Sequence, residues 1–107
     1  MDKERVTQEY KKLGEEIKEQ IKLVYPQGFS DYLISYTNKE GKKVTALRFE
    51  TDAKIYLIRM TIEQAIDIID ADPDYDQDGS LYEDVKEEYE EKHSDIEYLS
   101  DNENYEG

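Results

Sequence analysis

The sequence contains no cysteine and no run of apolar residues long enough to cross a membrane. The first absence excludes disulfide bonds and thiol chemistry, and it is compatible with a reducing compartment. The second predicts no membrane span, since such a helix needs about 20 consecutive apolar residues. Residues 2–5 are all charged and do not begin a secretory signal. We therefore expect a cytoplasmic protein.

Histidine is also scarce, because His93 is the single one in the chain. Without a second histidine or any cysteine, the usual zinc ligand sets and the Cys–His or Ser–His–Asp relays are hard to build. The chain has no Gly-rich phosphate loop, and its carboxylates are too numerous for any pair to indicate acid–base catalysis. We expect no enzymatic activity, and we expect His93 near a helix C-terminus, where a cation is mildly favourable.

Positive charge is nearly missing from the second half of the chain. Residues 1–61 hold 12 Lys or Arg and 10 Asp or Glu, whereas residues 62–107 hold 2 and 18, and the whole chain has a net charge of −14. This division predicts a conventional folded half followed by an acidic module. Such a field repels nucleic acids and anionic membranes and attracts cations and basic proteins. We therefore expect no direct nucleic-acid binding and no membrane binding.

The chain is organised around three predicted strands, at residues 31–37, 43–50 and 54–60. Side chains alternate with period two in each, and β-branched and aromatic residues dominate. The connections are short, and Gly41 suits a left-handed turn position in the first of them. This pattern predicts an antiparallel meander. Because both of its faces hold apolar residues, we expect both to be at least partly covered.

The residues before the strands have a helical apolar pattern. The spacing predicts one long helix over residues 3–25, which Pro26 and Gly28 end. Gly14 falls inside this helix, where it costs about 1 kcal/mol relative to Ala and would allow close contact with the sheet. The apolar stripe recurs at intervals of three or four and consists of Val6, Tyr10, Leu13, Ile17, Ile21 and Val24.

Two further helices are predicted after the strands. Thr61 and Gln64 match a capping box that begins the first of these helices, which runs to about Ala71. We expect its apolar stripe in the core, and the stripe consists of Ile62, Ala65, Ile66 and Ile69. The last predicted helix runs from residue 81 to about residue 93, and its thin apolar stripe among Asp and Glu consists of Leu81, Tyr82, Val85 and Tyr89. Like charges one turn apart, such as Glu83 and Glu87, destabilise an isolated helix, so we expect this helix to dock onto the folded half.

These elements predict an α+β fold of order α-β-β-β-α-α. A three-stranded antiparallel meander would pack against a long N-terminal helix, and an acidic C-terminal tail would follow. By length, residues 1–93 form one small domain. Residues 94–107 have low hydrophobicity and no positive charge, so we expect an acidic, flexible tail.

The segment of residues 72–79 is the most specific motif. Asp74, Asp76, Asp78 and Gly79 resemble the first half of an EF-hand calcium loop, in which alternate carboxylates converge on a hard cation and the glycine permits a sharp turn. The twelfth position holds Val85 instead of the bidentate glutamate. Ser80 and Glu83 also match a capping box. The pattern fits an acidic loop that begins a helix, or a weak calcium or magnesium site; no other cofactor is predicted.

Tyrosines recur through the acidic half, mostly seven residues apart: Tyr75, Tyr82, Tyr89, Tyr98 and Tyr105. Half-buried packing explains such a series, and so does an interaction surface, because tyrosine is enriched in binding sites. Closely spaced helical carboxylates can imitate a phosphate backbone. In composition, though not in any motif, the chain is similar to small acidic DNA mimics and nuclease-inhibiting immunity proteins.

The sequence favours a non-enzymatic interaction protein whose C-terminal half binds a basic surface of a nucleic-acid-binding protein. Inhibitor, immunity and nucleic-acid-mimic roles fit this expectation. Two alternatives are a divalent-cation module at residues 74–79 and a folded domain whose acidity serves only solubility. The predicted partner-binding residues are Tyr82, Glu83, Asp84, Glu87, Glu88, Tyr89, Glu90 and Glu91.

Overall fold

The computed structural model describes residues 3–96. Four strands form one sheet in the order β1-β4-β3-β2. Within residues 3–96, no helix combines the length and the apolar character that crossing a bilayer requires. The elements along the chain are β1 (Glu4–Glu9), α1 (Glu15–Val24), β2 (Ile34–Thr37), β3 (Lys43–Glu50), β4 (Lys54–Arg59), α2 (Ile62–Ala71) and α3 (Glu83–Lys92).

The three central strands confirm the α+β class and the antiparallel hairpins that were predicted. β2 pairs with β3 and β3 pairs with β4, both antiparallel, and Leu47 lies opposite Ile58. Gly41 has φ +81° in the first connection, as its left-handed position requires. The second connection closes with a hydrogen bond from the Thr51 backbone N–H to the Lys54 carbonyl. Local alternation and turn chemistry therefore define these strands.

The prediction of a three-stranded antiparallel meander is wrong, because the sheet has a fourth strand and is mixed. β1 pairs parallel with β4, and Val6 lies opposite Tyr56. The Lys3 ammonium lies 2.6 Å from a Glu50 carboxylate oxygen and fastens the start of this strand to β3. Without β1, the outer backbone groups of β4 would be an unpaired sheet edge. β1 pairs that edge and becomes the outer strand of the sheet, and local spacing did not indicate it because its partner lies about fifty positions along the chain.

The long N-terminal helix over residues 3–25 is also wrong, and the element order is β-α-β-β-β-α-α. The stretch Tyr10–Lys12 is a 3-10 turn, and α1 has only ten residues. Gly14 is the extended N-cap of α1, with φ −68° and ψ +158°. Among residues 3–96, a Cβ at Gly14 would meet no atom within 4 Å, and the close contact with the sheet that was expected there is not found. The helical spacing of Val6, Tyr10 and Leu13 runs across a strand, a turn and a loop.

The helices lie on one face of the sheet, because residues of α1 and α2 join the core formed by Leu47, Phe49 and Ile58, and half-buried residues of α3 pack against it. α1 contributes Ile21, Leu23 and Val24 to this core, together with neighbouring residues. α2 contributes Ala65 and Ile69, and the loop between α2 and α3 contributes Tyr75 and Leu81. Val44, Ile55 and Leu57 point to the other face, where they are half-buried and outside this core. The helices therefore cover one face, while on the other Ala46 is buried and its apolar neighbours are half-buried, which agrees with the partial cover expected there.

Of the two predicted capping boxes, the structure contains one. Thr61 and Gln64 form the predicted reciprocal capping box of α2. The box predicted for Ser80 and Glu83 is wrong, since α3 begins after Tyr82 without a side-chain cap. Residue 81 is instead bridged to Tyr75 in a short antiparallel contact. Ile96 packs against the core, and the remainder of the predicted tail, residues 97–107, lies outside the described residues.

Candidate interaction surface

The outward side of α3 is a row of carboxylates. α3 has no buried residue, and its first turn carries Glu83 and Asp84, where negative charge is favourable at a helix N-terminus. Glu90 is half-buried, whereas Glu83, Asp84, Glu87, Glu88 and Glu91 are exposed. Within residues 3–96, none of these five lies in an ion pair. We name these five residues the α3 row.

The two tyrosines predicted to bind a partner have different surroundings. Tyr82 is 47% exposed, at the start of the helix. Tyr89 is half-buried against the core, and its hydroxyl donates a 2.7 Å hydrogen bond to Asp74. Burial and this hydrogen bond raise the pKa of Tyr89 above its usual value. Tyr82 is therefore part of the exposed surface, whereas Tyr89 helps to hold α3 in place.

Lys22 on α1 ties the Asp-rich loop to the folded half. Its ammonium lies 2.6 Å from an Asp72 oxygen and 2.8 Å from an Asp74 oxygen, and its side chain is only 10% exposed. Burial by itself would lower the pKa of Lys22, but the hydrogen bonds to both carboxylates outweigh burial and raise it. One cation thus compensates two carboxylates of the acidic half.

Glu19 provides a second link between α1 and α3. One oxygen of its carboxylate lies 2.9 Å from His93 Nε2 and 3.0 Å from the Lys92 ammonium. Burial alone would raise the pKa of Glu19, but the hydrogen bonds from His93 and Lys92 lower it. His93 does follow the last turn of α3, as predicted, and it is buried there. The docking expected for α3 therefore includes this link, the Tyr89 hydrogen bond and the packing of Val85 against the core.

The three aspartates of the predicted cation loop have separate surroundings. Asp74 accepts from Lys22 and Tyr89. Asp76 accepts from the backbone N–H groups of Asp78 and Ser80, which shapes the turn. Asp78 is exposed. No group of three metal-ligating side chains occurs in residues 3–96, and the calcium or magnesium site stays a prediction.

The sequence prediction missed the outer side of α2. Ile62 and Ile66, expected in the core, are 57% and 46% exposed, while Ala65 and Ile69 are buried. Glu63 and Asp70 are exposed on the same helix. A signal was present in the sequence, because α2 carries more apolar residues than one buried stripe requires. The excess isoleucines lie at the edge of that stripe, beside carboxylates.

The comparisons with known proteins add no assignment. No family model, no curated protein and no solved structure matches this chain. The charge, exposure and contacts of the described residues are therefore the observations that bear on function.

Proposed function

We propose that this chain is a small, cytoplasmic, non-enzymatic interaction protein whose acidic half binds the basic surface of a nucleic-acid-binding protein. In this role it is an inhibitor, an immunity protein or a nucleic-acid mimic. The observation that carries the proposal is the α3 row, whose five exposed carboxylates have no ion-pair partner within residues 3–96. A basic partner would supply the missing cations.

The anchoring of α3 supports this proposal. Glu19 holds the C-terminal end of the helix, and Asp74 holds Tyr89 in its middle. A row of charges on a fixed helix keeps its spacing before the partner arrives, so less ordering is needed on binding. Charged rows of this kind accelerate association and set the preference for partners of opposite sign.

The separation of the carboxylates into two groups also supports the proposal. Asp72 and Asp74 bind the Lys22 ammonium inside the chain, and Glu19 binds the Lys92 ammonium. The α3 row forms no ion pair within residues 3–96, although like charges one turn apart cost helix stability. We expect a surface that lowers helix stability in this way where the charges are used for binding. Solubility alone does not require the carboxylates to lie in one row.

The proposal is tested with two triple variants of equal charge. The first neutralises the α3 row with Glu83→Gln, Glu87→Gln and Glu91→Gln. The matched control carries three substitutions at exposed residues of the other half that form no ion pair within residues 3–96: Glu4→Gln, Glu40→Gln and Asp52→Asn. Both variants lose three negative charges, so only the position differs.

Each protein is used to capture partners from the native cell extract at low salt, and DNA is then added as a competitor. We expect one nucleic-acid-binding protein to be captured by the wild type and released by DNA. The α3 variant should capture at least about tenfold less of it, while the control changes capture by less than about twofold. Equal losses for both variants, or a broad set of basic proteins removed by modest salt, would contradict the proposal.

A further inference from the structure

We infer that the outer side of α2 is a docking site for a basic amphipathic helix of the partner, an inference that rests on the proposed function. Ile62 and Ile66 are large apolar side chains exposed one helical turn apart. Glu63 and Asp70 flank them. A partner helix with apolar side chains at intervals of three or four residues would cover both isoleucines. We name these four residues the α2 patch.

A cleft of about 270 Å³ adjoins the α2 patch. Phe29, Ile66 and Ile69 contribute apolar surface, and the charged residues that line it are all acidic: Asp31, Asp70 and Asp78. The volume is below the roughly 300 Å³ of small-molecule pockets, so it suits one side chain. The stem of a lysine or arginine would pack on the isoleucines while its cationic end meets the carboxylates.

The wall of the cleft is held in place without a ligand. The Leu81 backbone N–H donates a 2.8 Å hydrogen bond to the Pro26 carbonyl, and the Ser80 hydroxyl lies 3.0 Å from the Gln27 side-chain oxygen. Gly28 has φ +96°, and a Cβ added there would lie 3.6 Å from the Gly79 carbonyl oxygen. The two turns therefore touch, and the cleft exists before the partner binds.

Charge complementarity selects the occupant. A second copy of this chain docked through the same surface would bring its own Glu63 and Asp70 against the carboxylates of the α2 patch. An uncharged apolar helix would cover Ile62 and Ile66 and leave Asp31, Asp70 and Asp78 without partners. A helix that is apolar on one side and carries lysine or arginine beside it satisfies both requirements.

The first test measures binding of a defined probe by fluorescence anisotropy. The probe is a labelled peptide of about 14 lysines and leucines with the leucines at helical spacing, long enough to cover α2. The double variant Ile62→Ser/Ile66→Ser should bind it about tenfold more weakly, because the covered apolar surface is lost. The control is Ile34→Ser on β2, where the isoleucine is 39% exposed, and it should change binding less than about twofold.

Two further comparisons separate docking from charge attraction. A peptide of the same composition with scattered leucines should bind the wild type about tenfold more weakly, since it has no apolar side. The pair Asp70→Asn/Asp78→Asn should weaken binding of the helical peptide at least about threefold more than the equally charged pair Glu4→Gln/Asp52→Asn. Circular dichroism verifies that each variant is folded. If the double isoleucine variant unfolds, Ile62→Ser alone replaces it.

Equal binding by the isoleucine variant and Ile34→Ser, or equal binding of the two peptides, would overturn the inference. The extract experiment separates this failure from that of the proposed function. If the α2 variants capture the cellular partner normally while the α3 triple variant does not, the proposed function stands and the docking site is wrong. If the α3 variant behaves as its matched control does, the proposed function itself is wrong.

Discussion

α1 and α3 are helices of ten residues each, yet α1 buries five consecutive residues and α3 buries none. The charges of α1 that enter the interior, on Glu19 and Lys22, are all paired. In the part of the chain that the structure describes, the charges of the α3 row form no ion pair. In a poorly solvated interior an unpaired charge is costly, whereas water tolerates it at the surface. The carboxylates of the acidic half thus divide into those that anchor the structure and those available to a partner.

The largest expected effect comes from removing the cation that anchors the acidic half. Lys22→Met leaves Asp72 and Asp74 without their shared ammonium, and we expect the free energy of unfolding to fall by about 3 kcal/mol. Urea denaturation monitored by circular dichroism measures it. Lys86→Met is the control, because Lys86 on α3 forms no ion pair within residues 3–96, and it should cost less than about 0.5 kcal/mol. Similar losses of unfolding free energy in the two variants would contradict the anchoring role of Lys22.

Asp74→Asn should cost about 2 kcal/mol at neutral pH, because a charge-assisted hydrogen-bond acceptor is lost. Burial would raise the pKa of Asp74, but hydrogen bonds from Lys22 and Tyr89 lower it below its ordinary value of 3.8. A lowered folded pKa means that the stabilisation is complete above 3.8 and is lost as the pH falls through the folded value.

The gap in unfolding free energy between wild type and Asp74→Asn should therefore close in acid. Urea denaturation at a series of pH values, from about pH 7 down to about pH 2, measures the gap. The exposed Asp78→Asn is the control and should show almost no gap at any pH. A gap for Asp74→Asn that stays constant in acid would show that the carboxylate does not act through its charge.

A smaller effect separates the two tyrosines of the predicted site. Tyr89→Phe removes the hydrogen bond to Asp74 and should cost about 1 kcal/mol of unfolding free energy. Tyr82→Phe should cost almost nothing, because that side chain is exposed. Thermal and urea unfolding of both variants test the pair. If Tyr82→Phe lost as much stability as Tyr89→Phe, the assignment of one tyrosine to structure and the other to the surface would fail.

The smallest effect concerns repulsion within the α3 row. Raising NaCl from about 0.05 M to about 0.5 M should stabilise the wild type by about 0.5 kcal/mol, since salt screens exposed charges more than partly buried pairs. The triple variant Glu83→Gln/Glu87→Gln/Glu91→Gln should gain less. The matched triple variant in the other half should gain as much as the wild type. Urea unfolding at both salt concentrations measures the gain in unfolding free energy. Equal gains for all three proteins would refute repulsion within the α3 row.

Local sequence determined the elements whose signals are complete within a few residues. Period-two alternation identified β3 with its observed bounds, and Gly41 and the Thr61–Gln64 capping box marked a turn and a helix start. These features depend on backbone geometry and nearby hydrogen bonds, which neighbouring residues supply. The charge division and the exposed carboxylates of α3 also follow from composition, because so many like charges cannot all be buried.

Only the tertiary structure decided the rest. Parallel pairing turned residues 4–9 into β1, because the partner strand lies about fifty positions away and no local pattern encodes it. The pairing of Lys22 with Asp72 and Asp74, and of Glu19 with His93, likewise joins distant residues. Ile62 and Ile66 are exposed because only part of the apolar side of α2 packs against the core. Periodicity shows which residues share a side of a helix, whereas packing determines how much of that side is covered.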